Sequence, residues 1–495
     1  MGEWRQVTDA TKPDGAASDG NLTHAALRGS AVTLVGQGAS TLVRFGSNLI
    51  ITRLLAPEHF GVMALVNVFL MGIGLFSDIG VGPAIIQGKR GDDPVFLDTA
   101  WTAQVLRGIA LASVACAAGW PLAQLYDAPE LVYLVPVTGL TALLDGFGST
   151  KLHTASRSLS FVRKAALDLA SQIAGIVAMI GVAWWYRSVW ALVVGALVSG
   201  VVRTVLTHAI LPGHNNRFRW DRDARRALFE FGRWIFVSTA FNFLAGQSDR
   251  LILGKLITTA ELGVYSIGAN IAALPLQIIR QVSTRVFFPV VAAAMRRADH
   301  DPGAIRASRI KLMTTLAPVL ALTIAVAQPA ITLLYDERYH RAGLIATFLA
   351  VGTWLGTISS SYNVVLLAAG RPKALSVANG VKTLVFTVPL WLAATHFGVD
   401  GAALAIGLSD VAFLVVAQLA ARKEKVLTLT ADVGVTLGVG ALVAVYYGLH
   451  RAVLELTTSP VVALAVPVLV ALGLTAVLVR KLKLLSRGEP AKSAV

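Results

Sequence analysis

The chain has 495 residues, with 43 Lys or Arg against 28 Asp or Glu and a formal net charge of +15. Hydrophobic residues make up 55% and charged residues only 14%, which excludes an intrinsically disordered chain, while the single cysteine, Cys116, excludes a disulfide scaffold. The apolar residues fall in long runs with no charged face between them, so the composition predicts an integral membrane protein.

In chain order, residues 1–24 are polar and read as a flexible cytoplasmic tail. The first apolar run, from about Ala25, is too long for a signal-peptide core and carries no small-residue cleavage pattern, so no removal is expected. A spanning helix needs about 20 mostly apolar residues. About fourteen stretches meet that length: 28–55, 58–87, 95–125, 130–150, 162–185, 188–211 and 227–256, then 260–295, 308–335, 341–369, 374–396, 399–421, 428–449 and 459–482. Pro, Gly and charge separate them, as in Ala56-Pro57-Glu58 and Gly370-Arg371-Pro372-Lys373. The alternating ten-residue segments of a membrane β-barrel are missing.

Lys and Arg fix the expected orientation. Placing both termini in the cytoplasm puts Lys89 and Arg90, the Arg217–Arg226 segment, the Arg296–Lys311 segment including Arg306 and Arg309, and Arg480–Lys492 inside. The opposite loops then hold only Arg187, Lys255, Arg338, Arg341 and Arg451, a strong positive-inside bias.

The first two stretches match the seventh and eighth at an ungapped offset of 202, with Arg53 over Lys255, Gly61 over Gly263 and Val62 over Val264. Six helices separate the copies, so the repeats are parallel, and parallel repeats imply two halves about an axis along the membrane normal with a site between them. The expected organisation is a tail at 1–24, a six-helix lobe at 25–212, a basic cytoplasmic linker at 213–226 and a second six-helix lobe at 227–423. Two additional membrane helices at 424–482 and a cytoplasmic tail at 483–495 complete it.

Ionisable groups at bilayer depth are costly and mark cavities or partners. Arg44 lies mid-span, and Gln37, Thr41, Arg44, Asn48 and Thr52 share one helical face. Gln104 and Arg107 lie one turn apart on the third helix. The seventh carries Asn242, Asp249 and Arg250, and the eighth Gln277, Arg280, Gln281 and Thr284 with Arg285 beside them. Lys382 and Asp410 sit mid-span in the eleventh and twelfth, and Asp78 occupies the position in the first repeat that Arg280 takes in the second. Arginines converging in a cavity suit an anionic ligand, because guanidinium binds phosphate through a bidentate fork. Asp78, Asp249 and Asp410 are candidates for ion coupling or for pairing with these cations. Arg53 and Arg233, near helix ends, are expected to snorkel.

Other chemistry has no motif. There is no phosphate-cradling G-x-x-x-x-G-K-[ST], no H-E-x-x-H and no thiolate metal set, so no cofactor, metal or catalytic residue is expected. Trp184-Trp185-Tyr186 reads as an interfacial belt, and the basic Arg217–Arg226 segment as a contact to anionic lipid headgroups, not to nucleic acid.

Three segments carry a resemblance. Asn48–Gly61, Asp78–Gln87, and Asp249-Arg250-Leu251-Ile252-Leu253-Gly254 with Leu262-Gly263-Val264-Tyr265 resemble the Wzx-like oligosaccharide flippases among the bacterial polysaccharide transporters, within the multidrug/oligosaccharidyl-lipid/polysaccharide exporter superfamily. The resemblance covers about residues 25 to 425. It implies two six-helix lobes around a cationic cavity, opening alternately to either face of the inner membrane. The implied cargo is a polyprenyl-diphosphate-linked oligosaccharide for exopolysaccharide, capsule or O-antigen (lipopolysaccharide), its diphosphate meeting Arg44, Arg107, Arg280 or Arg285. Membrane lipids and a polysaccharide polymerase are the implied partners. An ion-coupled drug/cation antiporter of the same architecture is the main rival, but it calls for acids and aromatics in the cavity. A polymerase or ligase calls for a large external loop that the spacing does not leave.

Overall fold

The computed structural model describes residues 19–77, 80–88, 90–157, 161–226, 243, 246–283, 287–296, 302–369, 371–422, 428–457 and 459–487. Among them the regular structure is helical, with no strand. Among the described residues nine helices are long and apolar enough to cross a membrane, or ten when one bent pair counts as a single span. The expected first span lies outside that set because α1 is polar, carrying Gln37, Arg44 and Asn48, while most of the expected seventh span, 227–256, and part of the eighth, 260–295, lie outside the described residues.

The N-terminal lobe comprises α1 (Asp19–Leu54), α2 (Pro57–Phe76), α3 (Val81–Gln87), α4 (Pro94–Tyr126), α5 (Leu131–Phe147), α6 (Lys151–Arg157), α7 (Phe161–Tyr186) and α8 (Trp190–Ala209). The C-terminal lobe comprises α9 (246–256), α10 (Thr259–Val282), α11 (Phe288–Arg296), α12 (Pro302–Leu334), α13 (Arg341–Ala368), α14 (Pro372–Leu408) and α15 (Asp410–Arg422). α16 (Leu429–Thr457) and α17 (Pro460–Arg487) pack on each other and on α12. Helix α1 reaches back to Asp19, into the segment expected to be a tail, since no proline interrupts the chain between Pro13 and Pro57. At the other end α17 continues to Arg487, beyond the expected limit of 482, because Lys, Leu and Arg are good helix formers.

Several expected single spans are broken. Residues 58–87 form α2 and α3, parted at Gly80, whose φ of 67° is a left-handed conformation that a side chain would strain. α5 and α6 meet at 57°. α14 kinks at Gly398 (φ 63°), at the expected boundary between the eleventh and twelfth spans. The repeat also extends further than the matched segments: α4 and α12 are each 33 residues long, begin at Pro94 and Pro302, and carry an internal Pro121 and Pro329 at the same distance from those starts.

One hydrophobic core runs through both lobes, from Leu65, Val66 and Leu134 to Leu262, Tyr265 and Ile345. A second joins the C-terminal lobe to the appended helices through Trp354, Phe413, Val439, Tyr446 and Ala471. At its edge lies Arg309, with no exposed surface. Its Nη2 is 2.8 Å from Asp432 Oδ1 on α16, its Nε donates to Ser361 Oγ at 2.8 Å, and its Nη1 donates to Thr428. The guanidinium stacks 3.7 Å from the centre of the Tyr362 ring, and Tyr362 donates to the other Asp432 oxygen at 2.6 Å. Arg309 was expected on the cytoplasmic loop side; instead it is buried between three helices, where a charge persists only when paired.

Arg309→Met alone leaves Asp432 buried without its cation, so it should cost about 3–5 kcal/mol, whereas Arg309→Met with Asp432→Leu should recover most of that loss. Melting temperatures of the three proteins in one detergent measure this, and an additive double mutant would show that the pair is not coupled.

Candidate functional site

The two lobes meet tightly at one end of the bundle, and the contact is between repeat-equivalent residues. A Cβ on Gly61 would lie 1.8 Å from Thr259 O, and a Cβ on Gly263 would lie 1.9 Å from Pro57 O. Each glycine thus faces the helix start of the other copy, about the axis that the 202-residue offset predicts, and only the absent side chains let α2 and α10 approach so closely.

Polar contacts complete the seal. The turn between α12 and α13 reaches the C-terminus of α1, where Tyr339 donates to Leu55 O at 2.8 Å. Arg338 lies 3.4 Å from both Thr52 O and Arg53 O, which places a cation at the negative end of the helix. Arg338 also donates to Asp336 at 2.7 Å, which holds that carboxyl below its usual range. Lys255 pairs with Asp127 of the other lobe at 2.7 Å.

The α1 stripe runs away from this seal. Thr52 is fully buried beside it, and Asn48, one turn below, donates to Tyr335 of the C-terminal lobe at 3.3 Å. Further along the same face Thr41 is half-buried, while Arg44 and Gln37 are exposed. The adjoining flank of α1 packs on α7 through Gly36 and Ser40, the latter hydrogen-bonded to Gln172. The stripe therefore faces the other lobe where the lobes touch and opens where they part. No partner for the Arg44 guanidinium is found among the described residues.

A cavity of about 560 Å³ lies within the N-terminal lobe, bordered by both helix breaks and by Arg107, Asp145 and Arg203. Gln104 and Arg107 serve the broken helices here. Gln104 donates to Asp145 O at 2.9 Å, and Arg107 donates to Gly74 O at 2.6 Å and Ser77 Oγ at 3.0 Å. On the rim, Met71 accepts a contact from Gln247 (3.4 Å), which in turn accepts from Arg250 at 2.7 Å. A chain of contacts thus links the C-terminal lobe's helix to the cavity mouth.

The remaining ionisable residues are committed elsewhere. Lys382 pairs with Asp410 at 2.9 Å inside the C-terminal lobe, and Asp249 accepts from the buried Tyr265 at 2.5 Å. Arg107 and Lys382 each have close partners within their own lobe, and among the described residues no contact joins either of them to Arg44. Asp78, Asn242, Thr284 and Arg285, with the side chains of Gln277, Arg280 and Gln281, lie outside the described residues. Sequence reasoning missed the pairing of Arg203 with Asp145 and Asp168, because long-range ion pairs leave no local spacing. It also missed Arg309, although Ile305, Arg309, Met313 and Ala317, all buried and four apart, mark one inward helical face.

Two parallel helical lobes, sealed at one end and lined by a polar stripe, define a multi-pass membrane protein of the exporter-superfamily fold. The lipid II flippase MurJ in its inward closed conformation superposes with a TM-score of 0.71 at 13% identity, over 91% of this chain and 99% of that one. The family described as "Polysaccharide biosynthesis protein" matches residues 50–344, and the chain belongs to it. Among relatives, the succinoglycan biosynthesis transport protein ExoT of Rhizobium meliloti is 23% identical over 333 residues, 67% of each chain. The lipopolysaccharide biosynthesis protein WzxC of Escherichia coli is 21% identical over 383 residues, 74% of this chain and 75% of that one.

The sealing contact tolerates no added atom. Gly61→Val or Gly263→Val should each cost about 1–3 kcal/mol through overpacking, read as a lower melting temperature in detergent, and wild-type melting of both would show that the approach is looser than described.

Proposed function

We propose that the protein moves a lipid-linked oligosaccharide across the cytoplasmic membrane for surface polysaccharide synthesis by alternating access, with both termini in the cytoplasm. The carrying observation is the α1 stripe: a mid-helix arginine on a polar face that looks toward the opposite lobe and becomes exposed away from the seal. That geometry suits an amphipathic cargo whose head passes between the lobes while its lipid stays outside. ExoT, WzxC and MurJ, whose names speak of succinoglycan, lipopolysaccharide and lipid II, support the reading. The distribution of Lys and Arg supports the orientation, and on this reading the seal lies at the periplasmic end and the stripe opens to the cytoplasm. The cargo on this reading is a polyprenyl-diphosphate oligosaccharide, and a polysaccharide polymerase is the natural recipient of the moved unit. The protein itself makes and breaks no bond.

The test is complementation. In a strain deleted for the gene, Arg44→Ala should lower surface polysaccharide by about tenfold or more, as expected for the loss of one charge-assisted contact, with membrane levels of the protein unchanged. Full export by the deletion strain itself would overturn the flippase reading. Full export by Arg44→Ala at normal protein levels would remove that residue from the path.

A further inference from the structure

The intralobe cavity holds a guanidinium that none of the structural roles above uses. Arg203 on α8 lies 3.6 Å from Asp145 Oδ1 and 3.6 Å from Asp168 Oδ1. Both separations exceed hydrogen-bond length, and among the described residues the Arg203 guanidinium makes no hydrogen bond. Its five N–H donors are therefore held near charge without a protein hydrogen bond among the described residues, and with 41% of the side chain exposed they are open to a ligand. Arg44 is likewise uncommitted but lies on the α1 stripe outside this cavity, whereas Arg107 is bound to Gly74 O and Ser77, Lys382 lies 2.9 Å from Asp410, and Arg309 is enclosed.

Position adds to this. The cavity is bordered by the breaks between α2 and α3 and between α5 and α6, and discontinuous membrane helices recur at transport sites because irregular backbone is tolerated only where it lines a cavity or is buried in protein. The freed carbonyls are already engaged by Gln104 and Arg107, so a ligand need not supply donors for them. The volume, about 560 Å³, falls within the range of small-molecule sites, roughly 300–1,000 Å³. Asp145, which lines the same cavity, also feels Arg107 electrostatically.

The geometry points to an oxyanion subsite in the N-terminal lobe, with Arg203 as the binding fork and the neighbouring Asp145 as a counter-ion that an entering anion displaces. A guanidinium presents parallel N–H groups to phosphate and carboxylate alike, so the group bound is either the phosphate that joins lipid to sugar or the carboxylate of an acidic sugar. Displacing Asp145 exchanges one loose ion pair for a hydrogen-bonded one. The loose geometry lets the empty site stay charge-compensated without blocking entry. The inference rests on the transport reading for the identity of the cargo, but the subsite's chemistry stands on Arg203 and Asp145 alone.

The test uses the full-length protein in phosphatidylcholine nanodiscs, titrated calorimetrically with inorganic diphosphate and separately with glucuronate. Wild type should bind one of the two, which says whether the site takes phosphate or carboxylate. Arg203→Gln should weaken that binding by about tenfold or more, and Asp145→Asn should tighten it several-fold by removing the competitor. Misfolding cannot produce tighter binding, so the second variant keeps the test sharp even where the first is unstable. The proposal is overturned if wild type binds neither anion, if both variants bind as wild type does, or if Asp145→Asn weakens binding. Failure here leaves surface polysaccharide dependent on the protein but indifferent to both substitutions; failure of the flippase reading leaves it independent of the protein.

Discussion

The close approach of α2 and α10 is the constraint on which the rest of the molecule depends. Association in lipid gains little from burying apolar surface, since lipid tails are as apolar as leucine, and relies on close packing and hydrogen bonds. Gly61 and Gly263 supply that closeness, and because they are equivalent positions of one repeat, the same contact is made twice about a common axis. Once the helix starts are held together, the lobes must diverge toward the other end. The polar face of α1 follows that divergence, from buried Thr52 through Asn48 at the seal to exposed Gln37.

Breaking a helix within the membrane frees carbonyls that water cannot reach, and the N-terminal lobe meets that cost with three long side chains. Arg107 takes the end of α2 and Gln104 the end of α5, both from α4. Arg157 takes the end of α3, donating to Ile85 O at 3.0 Å and Gly88 O at 2.7 Å. Two residues that look like cavity lining by depth and type are thus fasteners that hold the cavity open. Their polarity is needed whether or not a ligand is present, which is why mid-span position alone does not identify a binding residue.

The architecture was legible because its signals are local or periodic, run length for the helices and a repeat offset that places Gly61 on Gly263, whereas the break at Gly80 fell inside the expected span 58–87. The expected spans 374–396 and 399–421 leave Phe397 and Gly398 between them, and the kink falls at Gly398. What escaped are pairings between helices far apart in sequence. Arg309 sits 119 residues from Thr428, and nothing in the spacing of α12 says that an acid waits on α16. Its inward register was visible, but it lost to the habit of assigning arginines near helix ends to water. The Lys382–Asp410 pair was half legible: both residues were singled out for depth, and their partnership needed the fold.

The distribution of charge pairs separates the lobes. In the C-terminal lobe the deep charges are closed off, with Arg309 and Asp432 at 2.8 Å and Lys382 and Asp410 at 2.9 Å, and breaking such pairs is expensive because each would leave an uncompensated charge in a medium that solvates it poorly. They favour one arrangement of α12 through α16. In the N-terminal lobe His214 and Asp98 also stand close, at 2.8 Å, but at the cavity edge Arg203 stands 3.6 Å from two carboxylates, and little is lost when one partner is exchanged for another. A lobe with an exchangeable pair beside two broken helices can respond to what enters it, and a carrier that must tell occupied from empty needs that difference between its halves.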